Sequence, residues 1–376
     1  MKFSIYKTDA LSKARSGTLA TSRNSIRTPV FMPVATQAAV KGITADVLAG
    51  IGVDMVISNA YHLFMRPGKD VIAGFGGLHG FMGWGGSIAT DSGGFQVFSL
   101  EGLNRVSEEG VEFRSHIDGA KHFFTPENVV DLQVALGSDI MMPLDECVKY
   151  PSPRGLVEDA VELTLRWLKR AASALRDVDE HGALFGIVQG GTYKDLRKRS
   201  AEETASLDMD GYALGGVAVG EPSEILREIS AYTADLLPYE KARYLMGVGT
   251  PEDMLEAISN GIDMFDCVLP TRNGRNGQAF TSYGELNLKN STFKEDSLPI
   301  EPGCGCPSCQ SYTRGYIRHL LNSGEMNGPI LVSTHNLYFY ARLMESSRKA
   351  IEEGVFSSFK KEFSEKLASG RAGKND

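Results

Sequence analysis

The sequence predicts an α/β protein folded as a (β/α)8, or TIM, barrel, and three observations lead there. Eight short apolar runs bounded by turn residues recur along the chain. Most of the stretches between them read as helices. Polar or glycine-rich punctuation falls at the C-terminal end of six of the eight runs. Alternating strands and helices call for a parallel sheet, and eight units call for closure into a barrel, whose strand C-termini converge on one mouth. An open doubly wound sheet, the competing architecture, shows a glycine fingerprint after its first strand, and "VATQAAVKG" is not one.

In chain order the strands are expected at "PVFMPV" (29–34), "VDMVIS" (53–58), "SIAT" (87–90), "SDIMMPL" (138–144), "ALFGIVQ" (183–189), "GYALGG" (211–216), "ARYLMGV" (242–248) and "IDMFDCVL" (262–269). The helices between them are "TADVLAGIG", "PENVVDLQVALG", "GLVEDAVELTLRWLKRAASALRD", "KDLRKRSAEETAS", "SEILREISAYTADLL" and "PEDMLEAISNG", several opening on Ser, Thr or Pro. Two excursions interrupt the pattern. Residues 111–127 alternate around Asp118-Gly119, a hairpin signal. Residues 272–334 hold a second hairpin, "QAFTSYGELNLKN", and a cysteine cluster. "HNLYFYARLMESSRKAIEEG" then resumes as the eighth barrel helix, with His335 at its start. The barrel therefore takes residues 1–271 and 335–376, with 272–334 inserted between strand eight and helix eight.

At 376 residues, 42% apolar and 23% charged, the composition is that of an ordinary globular protein. No apolar run approaches the roughly 18–20 residues of a membrane helix, and the N-terminus lacks a signal-like apolar segment. A cytoplasmic protein without membrane attachment is expected. The net charge of −8 speaks against nucleic acid. Residues 270–320, however, carry six Lys and Arg against four acids, a local excess of +2.

Of five cysteines, Cys304, Cys306 and Cys309 form Cys-x-Cys-x₂-Cys, and His335 follows after 25 intervening residues. Three thiolates and an imidazole fill a tetrahedral zinc site with no open position, the composition of a structural metal. His319 is the alternative fourth ligand. The site would fix an insertion with little core of its own.

Three acids, Asp91, Asp145 and Asp266, stand at expected strand ends. A pair of carboxylates facing each other across a sugar is the arrangement that cleaves a glycosidic bond through a covalent intermediate. Asp266 has a nucleophile's surroundings, with apolar neighbours and with Arg272 and Arg275 close in sequence to keep it ionised. Asp263 differs from it in parity, points to the opposite face of the strand, and is expected to pair with a neighbouring element. The glycines of "DSGGF" allow backbone N–H groups to approach a ligand closely. Asp145, Gln189, Gly215 and Gly216 suit a planar heterocycle with donor and acceptor edges.

The motifs "TDSGGFQVFSL", "LDEC", "FGIVQGG", "GYALGGVAVGE", "RYLMGVGTPEDMLEAISNGIDMFDCVLPTRNGRNG" and "CGCPSCQ"…"THN" together resemble the bacterial tRNA-guanine transglycosylases, from about Arg27 to about Met344. The resemblance implies an irregular (β/α)8 barrel with a zinc-bearing insertion. It also implies exchange of the wobble guanine of tRNAs with GUN anticodons (the Asp, Asn, His and Tyr isoacceptors) for 7-aminomethyl-7-deazaguanine, on the way to queuosine. Carried over by position, Asp266 is the nucleophile and Asp91 an acid/base. Asp145, Gln189 and the Gly216 amide read the base edge, and Phe95 and Met246 sandwich its faces. Ser92, Gly93, Gly94, Gly215 and Val217 complete the base pocket. Gly247, Val248, Gly249 and Thr250, with Thr271, Arg272, Asn273, Gly274 and Arg275, face the RNA. Phe95 stands where many relatives carry tyrosine, which keeps stacking and removes a phenolic hydroxyl. Cys147 and Val219 resemble the bacterial pocket, which implies the aminomethyl precursor rather than free queuine. A homodimer with one structural Zn2+ per subunit is also implied.

Two other readings share part of this pattern. A retaining glycosidase would need aromatic sugar platforms, and the chain has only Trp84 and Trp167. A non-catalytic RNA-binding paralogue would be favoured by loss of a mouth aspartate, and all three are present.

Overall fold

The computed structural model describes residues 1–99 and 104–372. At its centre lie eight parallel strands: β1 (Val30–Pro33), β2 (Met55–Asn59), β3 (Ser87–Asp91), β4 (Ile140–Met141), β5 (Ala183–Val188), β6 (Gly211–Leu214), β7 (Ala242–Leu245) and β8 (Met264–Cys267). They pair in the order β1-β8-β7-β6-β5-β4-β3-β2. The circle is completed by a parallel bridge between Val34 and Ile57, next to a 2.7 Å bond from the Ala35 N–H to the Ile57 carbonyl. Each expected strand is found; six are shorter than expected, 87–90 extends to Asp91 and 53–58 shifts to Met55–Asn59, and the run 138–144 retains only two paired residues.

Alternation decides what each strand contributes. Met32, Met55, Ala89, Phe185, Tyr244 and Met264 point inward and fill the barrel as one buried cluster. Residues of opposite parity, such as Phe31, Val56, Leu184 and Phe265, pack outward against the helices. The expected helices are present, among them Arg154–Ala174, Lys194–Ala205, Ser223–Asp235 and Pro251–Ser259. No described helix is long and apolar enough to cross a membrane.

The N-terminus forms a three-stranded antiparallel sheet, Lys2–Thr8, Arg15–Ala20 and Ser25–Thr28, that the sequence pattern did not reveal. Leu19 and Ile26 of this sheet join the interior cluster, so it plugs the barrel at the end opposite the mouth. There Arg15 grips Asp263 through two bonds, Nε to Oδ1 at 2.9 Å and Nη2 to Oδ2 at 2.6 Å. Asp263 also accepts the Arg243 N–H at 2.7 Å. The expected partner of Asp263 is thus Arg15, from the plug.

The first excursion contains the expected hairpin, Val111–Arg114 with Lys121–Phe124, and adds a third strand, Asn104–Val106. The second contains the hairpin Gln278–Thr281 with Gly284–Asn287. Two local expectations are corrected. The eighth strand ends at Cys267 rather than Leu269, and "LPTRNGR" after it is a short helix, Leu269–Arg275. The long helix begins at Asn327, not at His335, so His335 sits inside it and the 334/335 boundary falls within one continuous helix, Asn327–Glu353. Pro329 falls in its first turn, where a proline forfeits no intrahelical bond. A final helix, Phe356–Ala372, follows; the expected barrel range runs on to 376, and residues 373–376 lie outside those described.

Candidate active site and metal centre

The inward parity that fills the barrel continues to its mouth. Two residues beyond Ala89, Ile187, Tyr244 and Met264 stand Asp91, Gln189, Met246 and Asp266, which therefore face the same axis. Asp145 joins them from the segment after β4 and is buried.

Asp266 is half-buried at the end of β8. Its Oδ1 accepts the Tyr244 hydroxyl at 2.5 Å and the Gly247 N–H at 2.7 Å. Desolvation raises its pKa, and these two donors oppose the rise. The expected arginines take no part: the helix Leu269–Arg275 turns Arg272 out to solvent, and neither Arg272 nor Arg275 is among the groups that act on the Asp266 carboxyl. Tyr244, which sequence reasoning missed, supplies the support instead. Its inward parity on β7, directly beside β8, was the available signal.

Asp91 accepts three bonds, from Asn59 Nδ2 at 2.6 Å, the Ala60 N–H at 3.1 Å and the Gly93 N–H at 3.1 Å. Desolvation nonetheless pushes it up to about 7, with the charge of Asp266 adding to the rise. The Asp266 charge therefore acts on Asp91 across the mouth. Asn59 is a second residue the sequence did not flag. It caps the helix Ala60–Met65 by accepting the His62 N–H, and the same carboxamide holds Asp91.

Asp145 accepts Gln189 Nε2 at 2.6 Å. Desolvation pushes it up to about 6, against the lowering effect of Gln189 and the Ser92 hydroxyl. Gln189 Oε1 is buried without a partner. Such an acceptor costs about 1–3 kcal/mol until a donor reaches it, the signature of a site built for a ligand edge. The glycines of "DSGG" are required by contact: a Cβ on Gly93 (φ +78°) would lie 2.6 Å from Tyr61 Cβ, and one on Gly94 would lie 3.0 Å from the Asp145 carbonyl. Gly215 and Gly216 are crowded likewise, by the Gln189 carboxamide. Phe95 is 57% exposed and stands at the rim. Val217 is buried beside the two glycines.

The residues expected to face RNA divide. Arg272 is exposed, and Asn273 and Arg275 are half-buried. Thr271 and Gly274 are buried, and a Cβ on Gly274 would lie 2.7 Å from Ser333 Cα, so this glycine lets two helices touch. Val248 is buried. Thr250 caps the helix Pro251–Ser259, accepting the Asp253 N–H, while Gly247 turns the chain at φ +73° and Gly249 accepts the Tyr340 hydroxyl at its carbonyl.

The ligand atoms of Cys304, Cys306, Cys309 and His335 lie within 4.8 Å of one another, an arrangement that could hold a metal ion. His335 Nδ1 is 3.7, 3.5 and 3.3 Å from the three sulfurs. Tetrahedral bonds of about 2.3 Å to sulfur and 2.0–2.1 Å to nitrogen give an S···N edge of about 3.6 Å, so the group is already spaced for an ion at its centre. His335 Nε2 lies 2.7 Å from the Phe280 carbonyl, and donation there leaves Nδ1 as the ligand atom. Backbone N–H groups of Cys306 and Cys309 donate to the sulfurs of Cys304 and Cys306. His319 belongs to another helix, Arg314–Asn322, and is not part of the group.

The family model of queuine tRNA-ribosyltransferases matches residues 9–369. The chain is 52% identical over 371 residues to the queuine tRNA-ribosyltransferase of Caldanaerobacter subterraneus subsp. tengcongensis, covering 99% of each chain. It is 53% identical over 363 residues to the protein so named from Pelotomaculum thermopropionicum (96% and 98% covered), and 51% identical over 361 residues to that of Nitratidesulfovibrio vulgaris (96% of each). The chain belongs to the queuine tRNA-ribosyltransferase family, whose members are pentosyltransferases.

Proposed function

We propose that this chain is a tRNA-guanine transglycosylase that replaces the wobble guanine of tRNAs with GUN anticodons by 7-aminomethyl-7-deazaguanine, in two displacements. The observation that carries the proposal is the pair Asp266 and Asp91, both inward at the mouth and each held by backbone and side-chain donors. In the first displacement Asp266 attacks the ribose C1′, the C1′–N9 bond breaks, and guanine leaves as its ring nitrogen gains a proton. In the second, the incoming base attacks C1′ from the vacated side, the ester to Asp266 breaks, and the base loses its N9 proton. Asp91, held at about 7, is suited to exchanging that proton at neutral pH.

Guanine presents two donor groups and a carbonyl along one edge. Asp145 and the unpartnered Gln189 Oε1 accept from the donors, and the Gly216 N–H donates to the carbonyl. Phe95 and Met246 hold the flipped base between apolar faces. Cys147 and Val219 shape the pocket for the aminomethyl group. Exposed Arg272, with half-buried Asn273 and Arg275, meets the anticodon RNA, together with the backbone of Gly247–Thr250. Zn2+ at Cys304, Cys306, Cys309 and His335 fixes the insertion that carries the helix Leu269–Arg275 against Asn327–Glu353. A homodimer and a cytoplasmic location complete the proposal.

The test is incorporation of labelled guanine into unmodified tRNA. Stable incorporation into GUN tRNAs alone is expected. Release of guanine with no incorporation would make the protein a hydrolase, and incorporation independent of anticodon would remove the stated specificity.

A further inference from the structure

The helix Lys194–Ala205 lies outside the barrel, yet it sends a whole guanidinium inward. Arg197 is 0% exposed, and no carboxylate stands within ion-pair reach of it among the described residues. Four hydrogen bonds go to backbone instead: Nε to the Gly191 carbonyl at 2.8 Å, Nη1 to Val188 at 2.9 Å and Gly215 at 2.7 Å, and Nη2 to Gly216 at 3.0 Å. Desolvation lowers its pKa to about 10. Glu221 acts on the cation only from beyond ion-pair distance, and burying a cation without a close partner costs several kcal/mol, so a chain that needed only a filled interior would place an apolar side chain here.

The acceptors show what the cation does. Val188 and Gly191 flank Gln189, and Gly215 and Gly216 follow β6. All four therefore belong to the two strand ends assigned to the base edge. The peptides on either side of Gly216 are trans. In a trans peptide the carbonyl and the N–H point in opposite directions. Drawing the Gly215 and Gly216 carbonyls outward to Arg197 therefore aims the N–H groups of Gly216 and Val217 inward, away from the helix. The Gly216 N–H acts on the Cys147 thiol, two residues beyond Asp145 in the chain. The Gln189 side chain lies over the same turn, where a Cβ on Gly216 would meet its Oε1 at 2.2 Å.

We propose that Arg197 is a positioning residue for base specificity: by fixing the peptide planes at Gly215 and Gly216 it presents a backbone donor to the ring carbonyl at purine position 6. It touches no reacting atom and acts through the turn. The inference rests on the base-exchange reading above and assigns the residue that sets one of its contacts.

The experiment compares two probes, 7-deazaguanine and 2-amino-7-deazapurine, which lacks the 6-oxo group, as competitors of guanine exchange in the wild-type protein, Arg197→Met and Arg197→Lys. The wild type is expected to prefer the 6-oxo base. In Arg197→Met that preference falls about five- to tenfold, the order of one net hydrogen bond, while KM for tRNA is unchanged. Arg197→Lys, with three donors and no planar fork, falls in between. A merely structural role would lower thermal stability and the active fraction but leave the ratio between the two bases intact, which would overturn the proposal. Failure of both variants to fold would assign Arg197 to folding and overturn it as well. If the wild type recognises neither base, the base-exchange reading fails and takes this inference with it. If the wild type discriminates and both variants do so equally, the positioning role alone fails.

Discussion

Replacing Tyr244 by phenylalanine removes one oxygen from the centre of the proposed chemistry. The Tyr244 ring is 1% exposed and packs within the barrel interior, so Phe keeps its contacts. What is lost is the 2.5 Å bond to Asp266 Oδ1; the Gly247 N–H remains at 2.7 Å. A hydrogen bond to a charged group is worth about 1.5–3 kcal/mol. This one favours the ionised carboxylate, so its removal raises the Asp266 pKa further above the ordinary carboxylate value. Attack on C1′ requires ionised Asp266, and the loss therefore falls on the acid side of the pH profile. There the ionised fraction drops by about ten- to a hundredfold, at 1.36 kcal/mol per tenfold. Well above that limb Asp266 is ionised in both proteins, and the variant approaches wild-type exchange. The assay is labelled-guanine incorporation into tRNA across pH, followed as kcat/KM. An acid limb that stays in place, or an equal loss at every pH, would refute the assignment of Tyr244 to the ionised nucleophile.

Three other perturbations test separate parts of the molecule. Asp91 at about 7 and Asp145 at about 6 lie above the unfolded value of about 3.9, so between about pH 4 and 7 the folded state binds more protons and stability declines as pH rises; urea midpoints should show Asp145→Asn flattening that decline. Arg15→Met strips the buried Asp263 of its counter-charge and should cost about 3–5 kcal/mol in urea unfolding, with exchange per folded molecule unchanged because the plug lies opposite the mouth. Cys306→Ser should abolish binding of one metal ion per chain and lower the thermal transition, read by metal analysis and calorimetry; full metal occupancy with unchanged stability would contradict a structural site.

The eight strands and most helices were legible because burial imposes period 2 or 3.6 on them, and the mouth was legible because parity carries Asp91, Gln189 and Asp266 inward. The three cysteines of the candidate metal group were legible from their spacing, whereas the choice of His335 over His319 came only with the fold. The N-terminal plug was not legible, since "KFSIYKT" is a short, largely exposed strand and "SGTLAT", though mostly buried, mixes small and polar residues without a continuous apolar face. Arg197, Tyr244 and Asn59 were missed for a common reason. Their roles depend on partners distant in sequence or on backbone carbonyls, and neither leaves a residue-type signature. Arg272 and Arg275 misled for the converse reason: proximity in sequence to Asp266 suggested an electrostatic partner, but one helical turn sends Arg272 to solvent and leaves Arg275 only half-buried.

The most direct test of the central claim is the attachment site of the covalent intermediate. Protein incubated with GUN tRNA and no added base, then denatured and digested, should yield one RNA-bearing peptide carrying the modification on Asp266, and Asp266→Asn should yield none. An adduct on Asp91, or one that persists in Asp266→Asn, would contradict the account.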